Sequence, residues 1–287
     1  MKLLRYGDVG VERPGVLLDN GSVADVTDHV ADFDQGFFSG DGIARLRTLI
    51  ETSGSQLPTV ELTGQRIGAP IAKPYQVLCI GLNYADHAAE SGLAVPDEPV
   101  VFNKGPRTVV GPNDDVLIPP GSQKTDWEVE LAVVIGKEAR YLEDERAAMD
   151  HIAGFAISND VSEREYQIER GGQWVKGKSC ETFNPLGPWL VTPDEIDDVQ
   201  SLSMTLDVNG ERLQDGSTET MVFGVAHIVW YLSQFMILEP GDLINTGTPP
   251  GVGLGMKPPR YLADGDVMEL EISGLGRQRQ QVRQATR

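Results

Sequence analysis

Asp126-Trp127-Glu128-Val129-Glu130-Leu131-Ala132-Val133-Val134-Ile135 alternates as an extended chain does. Successive side chains of a strand point to opposite faces, so Trp127, Val129, Leu131, Val133 and Ile135 predict an unbroken apolar face, and Asp126, Glu128 and Glu130 begin the other. Carboxylates two residues apart on a strand stand roughly 7 Å apart at the backbone, close enough for their side chains to lean onto one ion. An all-oxygen donor set suits Mg²⁺, Mn²⁺ or Ca²⁺. An isolated Glu-x-Glu is more often the wet side of an amphipathic strand, so the metal reading depends on what the rest of the chain adds.

Asp160 ends a second apolar strand, Gly154-Phe155-Ala156-Ile157-Ser158, and would complete a three-carboxylate site with Glu128 and Glu130. Arg164 and Gln167 follow four and seven residues later, on one face of a polar helix expected from Ser162 to Arg170. Lys104 closes the apolar run Pro99-Val100-Val101-Phe102, where an ammonium group is costly unless it pairs with carboxylates or a substrate. His87 and Glu90 are three residues apart in a stretch, Asn83 to Glu90, expected to be a short helix or lid. In a helix the carboxylate can orient the imidazole, and such a dyad can serve as a general base acting on water. Exposed helical His/Glu pairs are also common without any function.

Other patterns carry less. Gly172-Gln173-Trp174-Val175-Lys176-Gly177-Lys178-Ser179 satisfies the letter of a nucleotide P-loop, but a charged stretch precedes it and Asn184-Pro185 follows, so the required strand and helix are lacking. What remains is Lys178, held in a glycine-rich turn. Gly251-Val252-Gly253-Leu254-Gly255 has the wrong spacing for a dinucleotide fingerprint and reads as a loop approaching another backbone. His29, His87, His151 and His227 show no His-Glu-x-x-His spacing, which disfavours a hydrolytic zinc site. Cys79 and Cys180 form no Cys-x-x-Cys pattern, which excludes a disulfide framework and a thiolate cage. Cys180 reads as a filler in preference to a catalytic thiol.

The 287 residues carry 43 acidic against 24 basic side chains, a formal charge of −19. Such a surface repels phosphate backbones and anionic lipid, so neither nucleic acid nor membrane is an expected partner; it also matches a salty interior. An anionic substrate would need a bound cation or buried lysines to reverse the sign locally. No run approaches the roughly 20 apolar residues of a membrane span, and the amino terminus lacks the apolar core of a signal peptide, so a soluble cytoplasmic protein is expected.

With 32 glycines and 18 prolines, turns and short strands are favoured over long helices. Residues 1–70 read as a small β-rich domain, with a hairpin at Asp19-Asn20-Gly21 and a helix from Ile43 to Glu51. Ala69-Pro70-Ile71-Ala72-Lys73-Pro74 reads as the linker to residues 71–287. In that larger part a helix is expected from Tyr141 to Met149, a second Asn-Gly hairpin at Asn209-Gly210, and a mostly buried helix from Val222 to Phe235.

From Val77 to Gly274 the chain resembles the fumarylacetoacetate hydrolase family. The matching motifs, in order, are Gly81-Leu82-Asn83-Tyr84-Ala85-Asp86-His87, Phe102-Asn103-Lys104, Glu128-Val129-Glu130-Leu131, Asn159-Asp160-Val161-Ser162-Glu163-Arg164 and Lys176-Gly177-Lys178-Ser179. Asn209-Gly210-Glu211, Glu239-Pro240-Gly241-Asp242 and Thr246-Gly247-Thr248-Pro249-Pro250-Gly251-Val252-Gly253 complete the set. The resemblance implies an α+β, β-rich fold, a mixed β-roll catalytic domain that is usually homodimeric. It places a divalent ion on Glu128, Glu130 and Asp160 and the catalytic dyad on His87 and Glu90. Arg164, Gln167, Lys178 and Thr248 fall on positions lining the substrate pocket.

Gln173-Trp174-Val175-Lys176-Gly177-Lys178, with Pro185 to Thr192, is most similar to the branch acting on 2,4-diketo-3-deoxy sugar acids and related acylpyruvates. The expected reaction is Mg²⁺-dependent hydrolysis of a β-diketo acid to pyruvate and a carboxylic acid. His87 would be the base, Lys178 a catalytic cation, and Arg164, Gln167, Thr248 and Lys104 the substrate contacts. Oxaloacetate decarboxylation and keto-acid isomerisation use the same chelate and stand as alternatives, with turnover-free sugar-acid binding a third.

Overall fold

The computed structural model describes residues 1–86 and 95–286. Its strands are β1 (Lys2–Tyr6), β2 (Arg13–Leu17), β3 (Val23–Asp25), β4 (Thr59–Val60), β5 (Ile67–Gly68), β6 (Val77–Gly81), β7 (Val100–Lys104), β8 (Val109–Val110), β9 (Val116–Ile118) and β10 (Thr125–Asp126). They continue with β11 (Val129–Ile135), β12 (Ile152–Asn159), β13 (Ser162–Glu163), β14 (Asn184–Val191), β15 (Ser203–Val208), β16 (Glu211–Ser217), β17 (Leu243–Asn245), β18 (Val267–Ile272) and β19 (Gly276–Gln284). Among the described residues twelve strands form one mixed sheet in the order β4-β3-β2-β1-β14-β12-β11-β17-β6-β7, with β5 on β1 and β8 on β14. A second sheet runs β16-β15-β18-β19-β9, and β10 pairs with β13. This is the β-rich α+β architecture expected.

The two-residue period of β11 decides how these layers stack. Leu131, Val133 and Ile135 turn to one face and meet Met204, Leu206, Met268 and Leu270 of the second sheet and Ile228, Val229 and Leu232 of the helix Val225–Ser233. Ala132 and Val134 turn to the other face, where Phe33, Phe37, Phe38 and Leu46 cover them. Every residue of β11 is buried, so the strand has no wet face. At about 25 cal/mol per Å² of apolar surface removed from water, covering both faces is what holds the layers together.

The Asp19-Asn20-Gly21 hairpin forms as expected, with β2 antiparallel to β3. The helix that follows runs Gly42–Ser53. The Asn209-Gly210 hairpin also forms; both residues have positive φ, which gives the turn the twist of the flanking strands. Backbone pairing continues past Ala69-Pro74, because β1 hydrogen-bonds to β14 as well as to β2 and β5.

Two expected elements differ. Ser162 to Arg170 is not a helix throughout: Ser162 and Glu163 pair with Asp126 and Thr125, and only Glu165–Glu169 winds, as a π-helical turn. The Glu163 carboxylate accepts from the Ser122 and Thr125 hydroxyls and from Glu165 N–H, which favours an extended start over a helical one. The helix expected from Tyr141 starts at Glu145, capped by Asp144 Oδ1 accepting from Ala147 N–H at 2.9 Å. Lys178 lies in a short helical turn, Val175–Lys178. No helix among the described residues is long and apolar enough to cross a membrane.

Candidate metal centre and cavity

The β11/β12 register sets Val129 opposite Asn159 and Glu130 opposite Ser158, so the residues just outside the ladder, Glu128 and Asp160, become neighbours. Asp160 N–H donates to Glu128 C=O at 2.9 Å, and Asn159 Oδ1 accepts from Glu128 N–H at 3.2 Å. Glu128, Glu130 and Asp160 are buried, and each offers one oxygen within 4.8 Å of the other two. Gly247 N–H donates to Glu130 Oε2 at 2.8 Å. Gly247 has φ +100°, and a Cβ there would lie 2.8 Å from Asn83 Cβ, so only glycine delivers that N–H unstrained.

Three cations answer the carboxylates. Lys178 Nζ bridges Glu128 at 2.7 Å and Asp160 at 2.8 Å. Lys104, fully buried at its side chain, donates to Asp160 and to Val161 C=O. Arg164 donates to Glu128 at 2.7 Å, to Asp126 at 2.8 Å and to Gln167 Oε1 at 3.0 Å. Burial pushes the Glu130 carboxyl well above its ordinary value, and the neighbouring Asp160 and Glu128 charges push the same way. Burial alone would lower the Lys178 pKa, but Asp160 and Glu128 outweigh it and hold the group above its ordinary value. Lys178 is therefore a fixed positive charge.

These carboxylates fit a hard divalent cation. They are oxygen donors only, they converge, and Glu130 is electrostatically unsatisfied by the lysines and arginine alone, a strain that a +2 charge between the three would relieve.

A cavity of about 600 Å³ opens over this floor. Glu128, Glu130, Arg164, Gln167, Lys178 and Thr248, all picked out from the sequence, line it. The Thr248 hydroxyl donates to Val129 C=O at 2.9 Å and accepts from Gln214 at 2.8 Å. Lys104, expected among the substrate contacts, is not part of the lining; its ammonium sits behind Asp160. His87 and Glu90 lie outside the described residues. Asn83 Nδ2, near the start of their segment, donates to Thr246 C=O and Phe223 C=O, which anchors the chain after β6.

Sequence reasoning put Asp126 on the face of Glu128 and Glu130 but outside the metal-binding set, and gave Trp174 no role of its own. Asp126, across the break in the ladder at Trp127 and Glu128, shares Arg164 with Glu128 and is not one of the three converging carboxylates. It accepts instead from Gly253 N–H at 2.7 Å and Leu254 N–H at 3.0 Å while pairing with Arg164, and so pins the loop at the cavity lip to its floor. That loop does approach other backbone, as its glycines indicated: a Cβ on Gly253 would lie 1.9 Å from Arg260 C=O.

Residues 76–283 match the family profile "Fumarylacetoacetate (FAA) hydrolase C-terminal". A Burkholderia multivorans protein, provisionally named a hydrolase, is 55% identical over 287 residues, 99% of this chain and all of the relative. Among solved structures, a probable 2-hydroxyhepta-2,4-diene-1,7-dioate isomerase from Mycobacterium abscessus superposes with a TM-score of 0.82 at 35% identity, covering 100% of both chains. Maleylpyruvate hydrolase from Sphingobium sp. SYK-6, in complex with manganese(II) and pyruvate, superposes with a TM-score of 0.83 at 28% identity, again over 100% of both. The profile covers well over half of the chain and the relative all of it, so this protein belongs to the fumarylacetoacetate hydrolase family.

Proposed function

We propose that the protein is a divalent-metal-dependent hydrolase cleaving the C–C bond of a β-diketo acid, R-CO-CH₂-CO-COO⁻, to pyruvate and a carboxylic acid. The observation that carries this reading is the convergence of Glu128, Glu130 and Asp160 beside a cavity that Glu128 and Glu130 line together with the cations Lys178 and Arg164. Glu128, Glu130 and Asp160 would hold Mg²⁺ or Mn²⁺, which supplies Lewis acidity toward the carboxylate and adjacent keto oxygen of a bound substrate. Four buried carboxylates, Asp126 included, face three cations, so a bound +2 ion makes the floor net positive and receptive to a monoanionic head group.

Each side chain then has a role. Lys178 and Arg164 fix the carboxylate end and stabilise negative charge developing on the oxygens beside them. The Gln167 amide and Thr248 hydroxyl line the same floor and orient the head. His87, oriented by Glu90 in the assignment taken from the sequence motif, removes a proton from water. That water attacks the distal carbonyl, the bond to the CH₂ carbon breaks, and its electron pair leaves as the enolate of pyruvate, which takes up a proton.

Measuring pyruvate release from a panel of acylpyruvates, with and without Mg²⁺ or Mn²⁺, tests the reading; no metal-dependent release from any member overturns it. The likeness to a structure named as an isomerase favours one second reading, keto-acid isomerisation or oxaloacetate decarboxylation on the same floor. His87→Ala separates the two: hydrolysis should be lost, while decarboxylation, which needs no attacking water, should persist. A homodimer is the assembly this reading carries, and light scattering of the purified chain tests it.

A further inference from the structure

Beyond its charged floor the cavity changes character. Trp174 and Phe102 meet edge-on, ring centroids 5.2 Å apart and planes at 63°, and Phe102 lies 5.0 Å from Lys178 Nζ, so an aromatic wall begins where the floor ends. The backbone makes room for it: a Cβ on Gly81 would lie 2.7 Å from the Trp174 ring. Val252, Leu254 and Met256 face it from the lip pinned by Asp126. At the mouth Ile168 is 50% exposed and Leu254 38%, apolar surface left open beside a polar floor. Among the described lining residues the only polar side-chain groups beyond the floor are the Trp174 indole N–H and the exposed Lys257 ammonium.

We infer that the R group of the substrate is an apolar acyl chain, alkyl or aryl, seated between Trp174 and the Val252–Met256 lip, and that Gly81 and Trp174 are specificity-determining. The inference rests on the diketo-acid reading and narrows it. A polyhydroxylated R group, the other substrate type the sequence motifs admit, would find among the described lining residues beyond the floor only the Trp174 indole N–H and the Lys257 ammonium to bond, and each hydroxyl buried without a partner costs affinity. An apolar chain gains from each methylene removed from water, about fourfold in affinity.

The test uses the full chain with Mn²⁺ and 2,4-dioxo acids in which R is methyl, propyl, pentyl, phenyl, a polyol or a chain ending in carboxylate. kcat/KM should rise about fourfold per methylene up to pentyl, with phenyl at least about tenfold above methyl from its larger buried area. Trp174→Ala should flatten that series, mainly through KM, and Gly81→Ala should flatten it in part by displacing the ring. Trp174→Phe should retain most of the slope, which separates lost contact from lost folding, and circular dichroism checks each variant. A preference for the polyol overturns the inference. So does a preference for the carboxylate-ended chain that vanishes in Lys257→Gln.

Failure of the diketo-acid reading looks different: no pyruvate from any member. The subsite is then read by tryptophan fluorescence on titration with 2-oxo acids bearing the same tails, where equal affinity for apolar and polyol tails overturns it and tighter apolar binding upholds it.

Discussion

Among the described residues, two clusters of acidic and basic side chains are built on opposite plans. Near the amino terminus Arg5 grips Asp32 with two bonds, at 2.6 and 2.9 Å, and reaches Glu12. Arg66 grips Asp114 with two more, at 2.8 and 2.6 Å, and also holds Glu12 at 3.0 Å. Each carboxylate there is bound to a guanidinium. Burial pushes the Glu12 carboxyl up, but backbone donors, Arg66 and Arg5 outweigh it and leave it below the usual range. At the candidate metal centre the carboxylates converge on one another, and Glu130 is pushed the other way. Pairing of unlike charges braces a structure; crowding of like charges leaves a vacancy in the electrostatics that a cation can fill.

The sharpest way to break this contrast is Asp160→Asn. It removes one proposed ligand and takes from Lys104 its carboxylate partner and from Lys178 one of two, so unfolding in urea should show a loss of about 3–5 kcal/mol, and calorimetric titration should show no Mn²⁺ binding. Glu130→Gln separates the two effects. Mn²⁺ affinity should fall by more than about 100-fold, beyond the loss usual for groups that only support a ligand. The melting temperature of the metal-free protein should stay level or rise, because one of three mutually repelling charges is gone while Gly247 N–H keeps its acceptor.

Glu12→Gln should do the reverse, lowering stability by about 1–3 kcal/mol with Mn²⁺ binding intact. Because the folded-state pKa of Glu12 is depressed, its contribution is present above the ordinary glutamate value of 4.5 and fades as pH falls through the lower folded value. Melting curves of Glu12→Gln and the parent should therefore converge in acid; a gap that widens there would sink the bracing interpretation. The smallest effect belongs to the exposed pair Arg47–Asp194, where Asp194→Asn should change stability by about 0.2–1 kcal/mol and lose even that in high salt.

Much of this was readable along the chain, and the failures have local causes. The alternation through Val129–Ile135 foretold which side chains enter which core, because a strand's period is a property of covalent geometry. Both Asn-Gly hairpins were legible for a similar reason, their left-handed turn residues being a local steric matter. Ser162 to Arg170 misled because its polarity is the same whether it winds or pairs, and a partner strand 36 residues earlier, Thr125–Asp126, decided the matter.

By itself the sequence determined the inventory: an acidic chain, strands with defined faces, three carboxylates at strand ends, lysines in costly places, and motifs in the order of one family. Those are consequences of residue type and spacing, which act over a few bonds. Tertiary structure alone decided that Glu128, Glu130 and Asp160 meet, that Lys104 stands behind them instead of in the cavity, and that Trp174 lies over Gly81 to line it with an aromatic wall. Those facts depend on the register between strands and on the close approach of segments up to about a hundred residues apart, distances over which no local preference of the chain can act.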